Sequence, residues 1–212
     1  MIFIVAGGPK EQIPDLKTIQ KENPNATWCG VDAGAKFLIE NGITPSIAVG
    51  DFDSISNDQL KQLNAQIDSI YQLSPEKDQT DLEAALEFVS AQAEDDIIIF
   101  GATGGRFDHT YANIMITQMI SKNRKVIIRD RQNEMRILHP GTYSFEESEM
   151  KYISFLSISE KVEHVTLIGM KYQLDDTTLF RKESLGVSNE ITHHKGYISF
   201  EKGICLVVRS KD

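Results

Sequence analysis

Four short segments hold residue types that could do chemistry together. The first, Gly50-Asp51-Phe52-Asp53-Ser54, follows the apolar run Ile47-Ala48-Val49. If that run is a buried strand, Asp51 and Asp53 lie just past its carboxyl end, and in extended backbone residues two apart point the same way. Both carboxylates could then converge on one magnesium ion, which takes a few carboxylate oxygens and keeps water for the rest of its shell. A solvated Asx turn, with Ser54 capping a following helix, explains the segment equally well by itself.

The second segment is Lys77-Asp78-Gln79-Thr80-Asp81. Asp78 and Asp81 share a face only if a helical turn runs through both, and acids in a first turn also suit the helix dipole. Lys77 gains nothing from that dipole but could meet a phosphate. The third, Gly101-Ala-Thr-Gly104-Gly105-Arg106-Phe107-Asp108-His109, follows the most apolar run, Ile97–Phe100. Its glycines let backbone N–H groups approach phosphate oxygens, and Arg106 adds a forked cation. Asp108 is a further metal carboxylate or a helix cap, and His109 reads as structural. The pattern is neither the dinucleotide Gly-x-Gly-x-x-Gly nor the P-loop. The fourth, Ser184-Leu-Gly-Val-Ser188-Asn189-Glu190, reads as a loop on composition alone.

The elements that must position these segments fall into two textures. Up to about residue 131, short apolar runs alternate with helical periodicity, which predicts a parallel sheet in a three-layer α/β domain. Strands are expected at 2–6, 26–31, 47–49, 67–73, 97–100 and 126–129, and helices near 12–23, 35–41, 57–64, 81–93 and 110–122. The helix after Thr80 is the best defined. Leu82, Ala85, Leu86 and Val89 make one stripe, and Thr80 with Glu83 has capping-box spacing. From 132 to 212, strand-like segments at 134–139, 151–157, 162–168, 192–200 and 204–209 follow one another between glycine turns. That predicts a smaller antiparallel β-sandwich or barrel. On the first domain the carboxylates, the glycines and the arginine all follow strands. If those strands are parallel neighbours, the groups meet at one rim, where open α/β sheets bind ligands.

Composition narrows the classes. The chain has 212 residues, 41% hydrophobic and 25% charged, as in ordinary globular domains. A formal charge of -9 argues against a nucleic-acid binder or an anionic-membrane binder. No apolar run approaches the ~20 residues of a membrane span. Met1–Ala6 reads as a first buried strand rather than a leader. The two cysteines, Cys29 and Cys205, are expected as buried free thiols, in keeping with a reducing cytoplasm.

Taken together and in order, Gly50–Ser54, Lys77–Asp81, Gly104–His109 and Gly186–Glu190 resemble the motifs of the thiamine pyrophosphokinase family. Asp32-Ala33-Gly34-Ala35 is similar to an earlier Asp-Gly-Gly-Ala segment of that family, with alanine in place of one glycine. The resemblance implies transfer of a pyrophosphoryl group from ATP to the hydroxyl of thiamine, giving thiamine diphosphate and AMP. It also implies a homodimer with active sites at the subunit interface. By position, Asp51, Asp53 and Asp81 would hold Mg2+, with Asp78 and Asp108 close by. Arg106, Gly104, Gly105, Lys77 and Asp32 would bind ATP, and Ser188 and Asn189 thiamine. The aromatic that flanks thiamine is not assigned, and Trp28 falls in an expected strand. Two rivals stand beside this reading. One is an aspartyl-phosphate phosphatase, disfavoured because Asp51-x-Asp53 follows the third strand rather than the first. The other is a non-catalytic sensor, disfavoured because binding alone rarely needs so many desolvated carboxylates.

Overall fold

The computed structural model describes residues 1–52, 66–67, 69–74 and 76–212. It divides into two units, one of residues 1–120 and 124–131, the other of 121–123 and 132–212.

In the first unit the short apolar runs become strands β1 Ile2–Val5, β2 Thr27–Val31, β3 Ile47–Gly50, β4 Ser69–Gln72, β5 Ile97–Phe100 and β6 Val126–Arg129. They lie in the order β6-β5-β1-β2-β3-β4, and every adjacent pair is parallel. The order reverses beside β1, because the chain steps outward through β2, β3 and β4 before returning to β5 at β1's other edge. β1 is buried along its whole length, as a strand covered on both faces must be. One face carries Phe3, Val5, Trp28 and Phe100 against Leu16 and Leu38, with Phe3 and Trp28 ring centroids 4.7 Å apart.

Leu16 and Leu38 belong to helices α1 Leu16–Glu22 and α2 Ala33–Glu40. α1 starts four residues later than the periodicity suggests. Pro14 precedes Asp15, whose carboxylate accepts the Lys17 N–H at 3.1 Å and the Thr18 hydroxyl at 2.7 Å as an N-cap. Helix α3, Asp81–Gln92, buries the expected stripe of Leu82, Ala85, Leu86 and Val89, and the Thr80 hydroxyl accepts the Glu83 N–H at 3.2 Å. Helix α4 spans Phe107–Ile116 and tightens into a 3-10 turn at Thr117–Met119 instead of running on to residue 122. There the Thr117 hydroxyl donates to the Ile114 carbonyl at 2.7 Å. The helix expected at 57–64 lies outside the described residues.

The second unit is antiparallel. Strands β7 Asn133–Leu138, β9 Tyr152–Ser157, β12 Asn189–Glu190 and β14 Cys205–Ser210 pair in the order β12-β9-β14-β7. Strands β8 Gly141–Glu146, β10 Lys161–Ile168, β11 Leu174–Phe180 and β13 Lys195–Phe200 form a second sheet, β11-β10-β13-β8. One core unites them: Phe155, Ile153 and Val207 from the first sheet meet Val162, Val165, Leu167 and Ile198 from the second. This is the expected fold class, a parallel α/β unit followed by an antiparallel sandwich. Cys29 and Cys205 are both buried and free, and burial pushes each thiol up to about 12. Among the described residues no helix is long and apolar enough to cross a membrane.

Candidate active site

Where the strand order reverses, the loops leaving β1 and β5, joined by the Gly8 N–H donating to the Gly101 carbonyl at 2.8 Å, line a cleft of about 310 Å³ beyond the carboxyl ends of the sheet. Its walls come from Ala6–Pro9 after β1, Asp32 after β2, Thr80–Leu82 at the start of α3, and Gly101–Thr103, Gly105 and Arg106 after β5. Two of the four chemistry-bearing segments thus line this cleft, and the first abuts it through Gly50, which lies against Asp32.

Asp32 is the most constrained of these residues. It adopts φ 48 and ψ -120, a conformation rarely held by a non-glycine residue, fixed by its N–H donating to the Val49 carbonyl at 3.0 Å. Glycine at position 50 makes room for it, since a Cβ there would lie 2.0 Å from Asp32 Oδ1. That oxygen is buried and makes no hydrogen bond among the described residues. Burial, then proton sharing with and negative charge from the Asp81 carboxyl, then the charge of Asp51, push the Asp32 carboxyl up to about 7, against a small opposing pull from the Phe52 N–H. The departure from the family's Asp-Gly-Gly-Ala also becomes legible. Ala33 is exposed, whereas a Cβ at Gly34 would lie 1.9 Å from the Val5 carbonyl oxygen. The glycine that was replaced is the one with room.

Lys77 answers one charge of this cluster, that of Asp81. Its ammonium lies 2.6 Å from Asp81 Oδ1, with side-chain exposures of only 18% and 24%. Asp81 first, then the charges of Asp51 and Asp32, hold the Lys77 pKa above the ordinary lysine value. The lysine that sequence reasoning offered to a phosphate therefore faces three carboxylates here. Asp78 is exposed and does not share a helical face with Asp81. Thr80, at φ -73 and ψ 157, is extended, so α3 begins only at Asp81.

The extended-backbone argument for Asp51 and Asp53 does not hold either. β3 ends at Gly50, and the intervening Phe52 is buried at φ 55, so the backbone between them is not extended at Phe52. Asp53 and Ser54 lie outside the described residues. Among the described residues no three His, Cys, Asp or Glu side chains make a ligand cluster by themselves. The donor chemistry nevertheless fits a small hard cation, because Asp32 keeps an orphaned buried oxygen amid neighbouring carboxylates.

On the opposite wall, Arg106 is exposed and forms a two-pronged pair with Asp108, with Nε donating to Oδ1 at 3.1 Å. Asp108 also accepts the His109 N–H at 2.9 Å, and the arginine keeps its carboxyl below the usual carboxylate range. Asp108 therefore serves the start of α4 and orients Arg106, which with Gly105 lines the cleft. Gly104, at φ +87, lies between Thr103 and Gly105 in the same loop.

The second unit holds a different kind of cavity, about 220 Å³, lined by Leu167, Leu174, Tyr172 and the Ser184–Val187 loop together with Asn189. Ser188 borders it at φ 55, exposed, with its N–H donating to Ser154 Oγ at 3.0 Å. The Asn189 side chain is spent internally. Its Oδ1 accepts the Tyr172 N–H at 2.9 Å, and its Nδ2 donates to the Tyr172 carbonyl at 2.7 Å. Sequence reasoning missed Tyr172, the exposed aromatic at this cavity; Trp28, by contrast, is core. The only local signal for Tyr172 was its place after Gly169, in a turn facing the Gly186–Glu190 segment.

Comparison with known proteins matches both units. Residues 19–128 fit the family model described as "Thiamin pyrophosphokinase, catalytic domain", and residues 142–205 fit "Thiamin pyrophosphokinase, vitamin B1 binding domain". The chain is 41% identical to a thiamine pyrophosphokinase of Bacillus subtilis (strain 168), over 100% of this chain and 99% of that one. A crystal structure of the Bacillus subtilis enzyme superposes with TM-score 0.92, at 41% identity and 100% and 99% coverage. One from Geobacillus thermodenitrificans superposes at 0.90, with 37% identity and 100% and 97% coverage. The chain belongs to the thiamin pyrophosphokinase family.

Proposed function

We propose that this chain transfers the pyrophosphoryl group of ATP to the primary hydroxyl of thiamine, giving thiamine diphosphate and AMP, with the cleft of the α/β unit as its catalytic site. The observation that carries the reading is the orphaned, partly neutralised Asp32 beside Asp81 and Asp51, opposite a glycine-rich loop and an arginine. An acidic cluster facing an anion-binding loop suits a metal–polyphosphate complex better than either group bound alone.

In this reading Asp51, Asp81 and Asp53 would hold Mg2+, with Asp32 beside them. Bound there, the ion would supply neutralisation of the polyphosphate charge. The chain's own residues do the rest. Backbone N–H groups of Gly104 and Gly105 would receive phosphate oxygens, and Arg106, oriented by Asp108, would neutralise charge on the transferred group. Lys77 answers the charge of Asp81 and is within the same cluster to follow a phosphate. The hydroxyl of thiamine gives its proton to a carboxylate of the cleft as its oxygen bonds to the β-phosphorus, the bond from that phosphorus to the α-phosphate oxygen breaks, and AMP leaves. Positioning decides which phosphorus stands in line.

The neutral cavity of the β unit suits the other substrate. Leucines and the Tyr172 ring offer apolar and π faces to a cationic heterocycle, and Ser188 supplies a hydroxyl at its border. Asn189 holds the Tyr172 backbone, so its part is to shape that cavity. The family resemblance supports a homodimer with active sites at the subunit interface. Sedimentation of the purified chain at assay concentration tests that part: a dimer is expected, and an active monomer refutes it.

The test of the activity is product identity with ATP, magnesium and thiamine. AMP and thiamine diphosphate should appear in equal amounts; ADP with thiamine monophosphate would mean attack on the wrong phosphorus. A phosphoryl-aspartate trapped at Asp51 would favour the phosphatase reading instead.

A further inference from the structure

One buried carboxylate stands apart from the cleft and from the chemistry assigned to it. Asp130 follows β6, is 5% exposed, and does not line the cleft. Its Oδ2 accepts the hydroxyl of Thr103 at 2.7 Å, and Thr103, itself 6% exposed, does line the cleft in the middle of the glycine-rich loop. A neighbouring residue in each chain segment is held as well. Ala102 is fixed by the Asn113 amide, which donates to its carbonyl at 2.8 Å from α4. Arg131 donates its N–H to the Gln12 carbonyl at 3.1 Å and its Nε to the Ile13 carbonyl at 3.0 Å. Gln12 in turn packs against the loop: a Cβ at Gly104 would lie 2.6 Å from Gln12 Cγ.

From this placement we infer that Asp130 and Arg131 form a positioning clamp, a dipeptide at the end of β6 that holds the glycine-rich loop and the Gln12–Ile13 segment in a shape ready for phosphate. Glycine-rich backbone is the freest in a chain, so a loop with Gly101 at φ +68 and Gly104 at φ +87 must lose much conformational entropy to present its N–H groups together. If the loop is ordered before ATP arrives, binding does not bear that loss. A carboxylate suits the purpose better than a neutral acceptor, because its hydrogen bond to the Thr103 hydroxyl is charge-assisted. Burying a carboxylate is costly, which argues that the bond it makes matters to something beyond filling the core. Asp130 and Arg131 touch no reacting atom; they act through Thr103 and Gln12.

The inference rests on the reading that the phosphates of ATP occupy this cleft, and the test separates the two. Amide hydrogen exchange on the full-length chain, with and without ATP and magnesium, reports first on residues 101–106. Protection by ATP in the unaltered chain is expected; its absence removes ATP from the cleft and the clamp with it. Thr103→Val, close in shape but lacking the donor, should then raise the KM for ATP about tenfold, the effect of one charge-assisted hydrogen bond, and leave the KM for thiamine within about twofold. Its Gly104 and Gly105 amides should exchange faster without nucleotide, and Thr103→Ser should restore both values. Arg131→Gln, at an exposed position, should raise the ATP KM by a smaller factor and keeps the claim testable if Thr103→Val does not fold. A folded Thr103→Val or Arg131→Gln with an unchanged ATP KM overturns the clamp, provided ATP still protects the loop of the unaltered chain. Equal rises in both KM values would also overturn it, since they mark a general loss of structure.

Discussion

Two cavities of this chain treat their polar side chains in opposite ways. At the strand edge of the α/β unit, Asp32 keeps a buried oxygen without a hydrogen bond among the described residues, and its proton is retained to about 7 by burial and then by crowding with Asp81 and Asp51. At the cavity of the β unit, Asn189 is 1% exposed and has both ends of its amide matched to the backbone of Tyr172. Unsatisfied buried charge is a standing cost to the fold, tolerated where a ligand will relieve it. A satisfied buried amide is a brace. The difference separates a site that performs chemistry from one that offers shape.

That contrast makes predictions of opposite sign. The largest effect belongs to Asp81→Asn, which removes the carboxylate at the centre of the charged cluster. Turnover should fall at least about a hundredfold, on the order of 3 kcal/mol of barrier, while the protein stays folded. Steady-state kinetics on a variant with a native circular dichroism spectrum checks it. Near-normal turnover would move the chemistry away from this edge. Asn189→Ala comes next and should act on stability. It removes the partners of the part-buried N–H and carbonyl of Tyr172, at a cost of about 1–2 kcal/mol in urea unfolding. An unfolding midpoint equal to that of the unaltered chain would show that the amide is no brace.

The smallest effect has the opposite direction. Because folding raises the Asp32 pKa to about 7 from the ordinary aspartate value of 3.8, the folded state binds more protons than the unfolded state between those values. Stability contributed at this position therefore falls as pH rises from about 4 to about 7. Asp32→Asn, without added metal, should raise the melting temperature by several degrees at pH 8, and the gain should vanish near pH 4. A variant less stable at pH 8 would mean that the Asp32 charge is already answered in the metal-free protein, and the contrast between the cavities would lose its basis.

Much of this molecule was legible from residue order. Buried parallel strands announce themselves as unbroken apolar runs, and β1 and β5 are such runs. The α3 stripe and its Thr80–Glu83 cap follow from periodicity and spacing alone. What escaped did so for physical reasons. Strands β8 and β11 are the two edges of their sheet, and they read Gly-Thr-Tyr-Ser-Phe-Glu and Leu-Asp-Asp-Thr-Thr-Leu-Phe, with only Phe145 and Leu179 buried. An edge strand exposed on one side has little apolar pattern to display. At the cleft, spacing placed Asp81 after a helix cap but could not pair it with Lys77, because that contact depends on where the turn before α3 carries the lysine. Asp130 gave no signal at all. It lies in a charged run, Arg129-Asp-Arg131, that reads as surface until β6 is seen to deliver it beneath Thr103.

The central claim, that the α/β cleft moves a two-phosphate unit from ATP to thiamine, is tested most directly with ATP labelled in its γ-phosphate. The account predicts one label per thiamine diphosphate formed, unlabelled AMP in equal amount, and loss of both products in folded Asp81→Asn. Label released as inorganic phosphate, or full transfer by Asp81→Asn, would contradict it.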